Sequence, residues 1–128
     1  MIIGIGIDLV EKESFEKRIQ RTPTMVHTIL KLTSLLSTES TLSQNSNLRQ
    51  DKFMQDAMSN LAAFEALLKA STFEVRRQIS NFKLRRGESG KPEFVFAGPD
   101  SESISNLKLH LTITTQPNCT LALVILER

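Results

Sequence analysis

Cysteine is almost absent from this chain, and that excludes several chemistries at once. Cys119 is the single cysteine among 128 residues, so neither an internal disulfide nor a cysteine-built metal cluster can form, and a reducing compartment suits the sequence. Cys119 itself reads as a small strand residue rather than a nucleophile. No apolar run approaches the roughly 20 residues that a membrane helix needs. The N-terminal apolar stretch has no basic region before it and runs straight into Asp8 and Glu11, so it is expected to be neither anchor nor signal, and a cytoplasmic location is the economical reading. Charge of one sign is not in large excess: the net value of +2 implies no nucleic acid or other polyanion as partner. Aromatic side chains are few, seven Phe with no Trp or Tyr. A core short of rings is consistent with a chain that completes its packing by self-association.

What is present is organised around the first fifteen residues, MIIGIGIDLVEKESF. Apart from Asp8, the stretch 1–10 is aliphatic or glycine, and such a run reads as a strand, 2–9, buried on both faces. Asp8 is the anomaly in it. An ionised carboxylate in an apolar setting is costly unless a cation, hydrogen-bond donors or a metal compensates. The other reading is that the strand stops near Ile7 and Asp8 opens a turn or caps the following helix.

Beyond it, Phe15 and Ile19 repeat at helical spacing among charged neighbours, which predicts a short amphipathic helix over 10–19 with a basic face at Lys12, Lys17, Arg18 and Arg21. Pro23 can open a second helix over 25–36, and the polar segment 37–47 reads as a loop. The strongest periodic signal is 48–70, where Phe53, Ala57, Leu61, Phe64 and Leu68 recur at three- and four-residue intervals without Gly or Pro. Glu65 lies on that face, with Lys69 one turn ahead in the favourable order for an ion pair. Either the two make an ordinary surface pair, or the helix delivers a second carboxylate with an ammonium beside it.

After Ser71 and Thr72 the pattern reads as strands. The stretch 73–84 alternates in places, and the turn 86–90 leads into a strand at 93–97, so a hairpin is expected. A short helix at 101–107 follows. Strict alternation over 107–115 predicts a half-buried strand, and the turn Gln116, Pro117, Asn118 leads to a last apolar strand at 120–126. His27 and His110 stand alone and receive no role. The sum is an α+β domain spanning 1–128: an N-terminal strand, a long central helix and antiparallel strands.

Four stretches together carry a resemblance: IGIGIDLVE at 3–11 with Phe15, LAAFEALLKA at 61–70, GKPEFVF at 90–96, and LHLTITTQPNCTLALVILER at 109–128. In this order they resemble the holo-acyl-carrier-protein synthases of the 4′-phosphopantetheinyl transferase superfamily. The resemblance implies transfer of the phosphopantetheine arm of coenzyme A to a serine of apo-acyl carrier protein, with Mg²⁺ as cofactor, in fatty acid biosynthesis. It places Asp8 and Glu65 on the metal-ligand positions and makes Asp8, Glu65 and Lys69 the catalytic set. Lys69, Lys91, Thr112 and Thr115 fall on coenzyme-binding positions. A homotrimer with sites between subunits is implied in the same way.

The chain also departs from the family pattern. Phe64 stands where the helix motif has a lysine, and Asn60 and Leu61 replace its aromatic and basic lead-in. Ser71 and Thr72 replace a glycine-bearing turn. Thr115 replaces a histidine, and Ser14 replaces an arginine that would face the carrier protein. Phe64 and Thr115 therefore also suit a non-catalytic relative that keeps the fold and binds a carrier protein or nucleotide as a scaffold.

Overall fold

A computed structural model describes residues 1–25, 28, 46–99 and 102–128. Strand β1 (Ile2–Glu11) leads directly into helix α1 (Lys12–Arg21). Helix α2 (Ser46–Ala70) is followed by a short helix α3 (Phe73–Arg77), the 3-10 turn Ile79–Asn81 and the hairpin of β2 (Phe82–Arg86) and β3 (Pro92–Phe96). Helix α4 (Glu102–Ser105) precedes the closing hairpin of β4 (Lys108–Gln116) and β5 (Cys119–Glu127). The α+β expectation holds. Residues Thr24, Met25 and Thr28 are helical, but the rest of the predicted second helix lies outside the described residues. So does most of the predicted loop at 37–47, although 46 and 47 already belong to α2 rather than to a loop.

The strands form a three-stranded antiparallel sheet in the order β1-β5-β4 and a separate β2-β3 pair. Helix α2, about 37 Å long at 1.5 Å per residue, runs between them. Its second half is buried on nearly every side: Ala57, Met58, Leu61, Ala62, Ala63, Phe64, Ala66, Leu67 and Ala70 are all core residues. An all-round apolar helix is the expected solution for an element covered on both flanks. Phe64 touches the small sheet through Phe94, ring centroids 5.1 Å apart and nearly perpendicular, and Phe82 extends the cluster to Phe94 and Phe96. The predicted stripe fades toward the start of α2, where Phe53 is exposed.

Two expectations change. The first strand is not buried on both faces: Ile5, Ile7 and Leu9 are each more than half exposed, whereas Gly6 and Val10 are buried. The reason is that α2 covers one side of the sheet only, and the side it covers is the one carrying Gly4, Gly6 and Asp8. The stretch 73–84 begins as a helix and a 3-10 turn, not a strand. At the end of α2 the Ser71 hydroxyl donates to the Leu67 carbonyl at 2.5 Å and Arg76 Nε to the Leu68 carbonyl at 3.1 Å. Those carbonyls have no partner within α2; Ser71, directly after the helix, meets Leu67 through its hydroxyl and Leu68 through its N–H at 3.3 Å, and the return of the chain in α3 adds Arg76 and buries Val75.

Candidate active site

Backbone contact comes first. A methyl group added at Gly6 would overlap the Ala66 carbonyl oxygen and lie 2.6 Å from the Ala70 nitrogen; one at Gly4 would collide with the Ala70 carbonyl. Glycine on β1 opposite alanine on α2 lets strand and helix meet with almost nothing between them. Asp8 is two residues along the same face, opposite the buried Ala122 of β5. Its carboxylate therefore emerges where α2 passes.

Lys69 crosses that gap. Its ammonium donates to Asp8 Oδ1 at 2.7 Å and to the Ile7 carbonyl at 3.0 Å. The Asp8 side chain is only 16% exposed, against 53% for Lys69. The compensation that an Asp in an apolar strand demands is thus supplied by a lysine sixty-one residues away. Asp8 lies within β1, which continues to Glu11, so it neither ends the strand nor caps α1. The i,i+4 pair of Glu65 with Lys69 does not form: the shorter approach to Asp8 takes the ammonium. The Glu65 carboxylate has no hydrogen-bond or ion-pair partner among the described residues.

Asp8 and Glu65 open on one cleft of about 270 Å³, whose walls also include Glu11, Ser14 and Arg18. A larger cleft of about 350 Å³ is lined by Lys12, Met54, Met58 and Thr115 among others, and holds neither carboxylate. Size favours the second, but chemistry favours the first, because only there do carboxylates from a strand and a helix converge. Among the described residues no three His, Cys, Asp or Glu side chains gather to cage a metal. Two oxygen donors on one open cleft fit Mg²⁺, which takes one or two protein carboxylates and completes its shell with phosphate and water.

The expected site residues are only partly brought together. Asp8 and Glu65 share a cleft, and Lys69 reaches Asp8 but not Glu65. Thr115 faces the larger cleft. Thr112 points to the opposite side of β4, in register with Leu123 and through it with Ile7 on the exposed face. Lys91 lies exposed in the β2-β3 turn, where its carbonyl accepts from the Gly87 N–H. The basic residues of α1 also divide: Arg18 lines the carboxylate cleft, Lys17 pairs with Glu13 at 2.7 Å, and Lys12 borders the larger cleft. Sequence reasoning missed Gly4 and Gly6 as positioning residues. The available signal was glycine at every second strand position facing alanine at every fourth helix position.

No protein-family model matches the chain. It is, however, 30% identical over 135 residues to the holo-[acyl-carrier-protein] synthase of Vibrio cholerae serotype O1 (strain M66-2), covering 100% of this chain and 99% of that one. The chain belongs to the holo-[acyl-carrier-protein] synthase family. A relative of the same name from Anoxybacillus flavithermus is 26% identical over 130 residues, covering 100% of this chain and 98% of that one. Among solved structures, the synthase of Neisseria meningitidis superposes with a TM-score of 0.67 at 22% identity, covering 100% of both chains. The synthase of Bacillus anthracis in complex with CoA (3′,5′-ADP) superposes at 0.62 and 22% identity, covering 98% of this chain and 96% of that one. At such identities these two structures speak for the synthase fold alone.

Proposed function

We propose that the chain transfers the 4′-phosphopantetheine moiety of coenzyme A to a serine of apo-acyl carrier protein and releases adenosine 3′,5′-bisphosphate. The observation that carries this reading is that Asp8 and Glu65 line one cleft, with Lys69 bonded to Asp8 beside it, in a member of the synthase family. Asp8 and Glu65 are the residues that would hold Mg²⁺, and the bound ion supplies charge neutralisation for the diphosphate oxygens. Lys69 spends two of its three N–H donors on Asp8 and Ile7, which leaves one for a phosphate oxygen. Glu65, which has no hydrogen-bond or ion-pair partner among the described residues, would keep one carboxylate oxygen to accept the proton of the attacking serine hydroxyl while the other holds the ion. The new bond joins the serine oxygen to the phosphorus that carries the pantetheine arm, and the bond from that phosphorus to the bridging oxygen breaks, the electron pair leaving with the nucleotide.

Partners follow from the surface. The solvent side of α1 presents Ser14, Lys17, Arg18 and Arg21, and two of these also line the cleft. An acidic carrier protein docked there would bring its serine to the carboxylates, with complementary charge speeding encounter. Lys91, Thr112 and Thr115 are the further coenzyme contacts of this reading, and their separation in one chain suits a site completed by a neighbouring subunit. Ile5, Ile7, Leu9 and Leu121 form an exposed apolar face of the kind that assembly covers, in keeping with the homotrimer that the family resemblance implies. The same reading makes 1–128 one domain acting in the cytoplasm in fatty acid biosynthesis, with no nucleic acid or membrane as partner; no helix among the described residues is long and apolar enough to cross a membrane. Phe64, in place of the motif lysine, is seated against Phe94 in the core, so that substitution does not empty the cleft of the three residues invoked here. Incubation with coenzyme A, Mg²⁺ and an apo carrier protein, followed by intact-mass spectrometry, tests the reading. A gain of one phosphopantetheine on the serine is expected; an unchanged mass would leave the scaffold reading.

A further inference from the structure

The Lys69 ammonium is anchored at two points, although its side chain is 53% exposed. The helix that carries it is locked on β1 by the Gly4 and Gly6 contacts, and its ammonium is bonded both to a backbone carbonyl and to Asp8. A cation that uses Asp8 therefore meets a carboxylate already bonded to an ammonium. The surrounding charges sharpen the point. Asp8, Glu11 and Glu65 line the cleft together with Arg18, and Lys69 adjoins it, so three carboxylates against two cations leave one negative charge in excess.

A bare divalent cation entering this cleft would reverse that excess to one positive charge, next to the ammonium. At separations of a few ångströms in partly buried surroundings, such repulsion exceeds thermal energy. A divalent ion that arrives with a diphosphate diester, which carries two negative charges, adds no net charge. We propose that the charge of Lys69 makes the cleft select the metal-diphosphate pair over the free divalent cation, through its bond to Asp8 as well as the phosphate contact proposed above. The inference rests on the proposed metal role of Asp8 and Glu65. Its thermodynamic form is a coupling: diphosphate tightens the metal and the metal tightens the diphosphate by the same factor, and the charge on residue 69 sets that factor.

Mn²⁺ binding to the purified chain, followed by the electron paramagnetic resonance of free Mn²⁺ with and without saturating coenzyme A, tests it. The unaltered chain is expected to bind Mn²⁺ alone weakly and about tenfold or more tightly with coenzyme A, while Lys69→Met binds Mn²⁺ alone about fivefold tighter and loses most of the coenzyme effect. Lys69→Arg, which keeps the charge, should behave as the unaltered chain. Equal Mn²⁺ affinity in the unaltered chain and Lys69→Met, or a coenzyme effect that survives in Lys69→Met, overturns the inference. Mn²⁺ binding that is absent, or indifferent to both Asp8→Asn and Glu65→Gln, overturns the metal reading beneath it, and is recognised because it does not depend on residue 69.

Discussion

Gly6 of β1 lies against Ala66 of α2 with no space for a side chain between them, since even a methyl group at Gly6 overlaps the Ala66 carbonyl oxygen. The colliding atoms are backbone, so neither element can yield without moving the other. Gly6→Ala should therefore destabilise the protein by about 2–3 kcal/mol, as overpacking does, lowering the melting midpoint by roughly 10 °C. Thermal unfolding by circular dichroism measures this; an unchanged midpoint would show that strand and helix are not in such contact.

The carboxylates should be separable from stability. Asp8→Asn and Glu65→Gln remove a charge with little change of shape, and each is expected to lower phosphopantetheine transfer by about a hundredfold or more, the loss of several kcal/mol of charge stabilisation. Excess chelator should abolish transfer by the unaltered chain, and added Mg²⁺ restore it. Initial rates with an apo carrier protein decide the matter, with far-ultraviolet circular dichroism confirming that the variants fold. Full activity in either variant would take that residue out of the reaction.

The exposed apolar face predicts a quaternary consequence. Ile5 and Leu121 project from neighbouring strands away from α2 and are 59% and 38% exposed. Ile5→Lys combined with Leu121→Lys should reduce the proposed trimer to single chains without unfolding them, because neither side chain packs into the core. Light scattering after size-exclusion chromatography reads the mass directly. A single-chain mass for the unaltered protein would remove the trimer.

Asp56 on α2 supplies a pH dependence. Burial pushes its carboxyl above the usual range, only partly opposed by the charges of Lys52 and Arg86. A carboxylate raised in the folded state favours folding while protonated, and that contribution is lost as pH rises through its folded value. Asp56→Asn should therefore raise the melting midpoint at neutral pH, and the gain should shrink as the medium is acidified through the raised folded value and be gone below about pH 4, the reference for an exposed Asp. A gain that is constant across pH would contradict this.

Much of the architecture is legible in the chain alone. Periodicity locates α2, because apolar residues spaced by three and four leave few alternatives to a buried helix. Strict alternation locates β4, where Lys108, His110, Thr112 and Thr114 are exposed between half-buried neighbours. His110, without a role by sequence, pairs with Glu127 at 3.0 Å, a contact that register across β4 and β5 creates and no local pattern announces. The helical start of 73–84 is hidden for a similar reason: it is supported by tertiary contact with the end of α2, Arg76 Nε donating to the Leu68 carbonyl, which no local pattern announces.

By itself the sequence determined the element types, the odd carboxylate in the first strand and the second carboxylate on the long helix, since those depend on local spacing and on the cost of burying a charge. Only the tertiary structure decided that Lys69 serves Asp8 instead of Glu65, and that one face of β1 stays open. Those outcomes turn on how closely two backbones approach, and that distance is set by glycines and alanines whose importance lies in what they leave out.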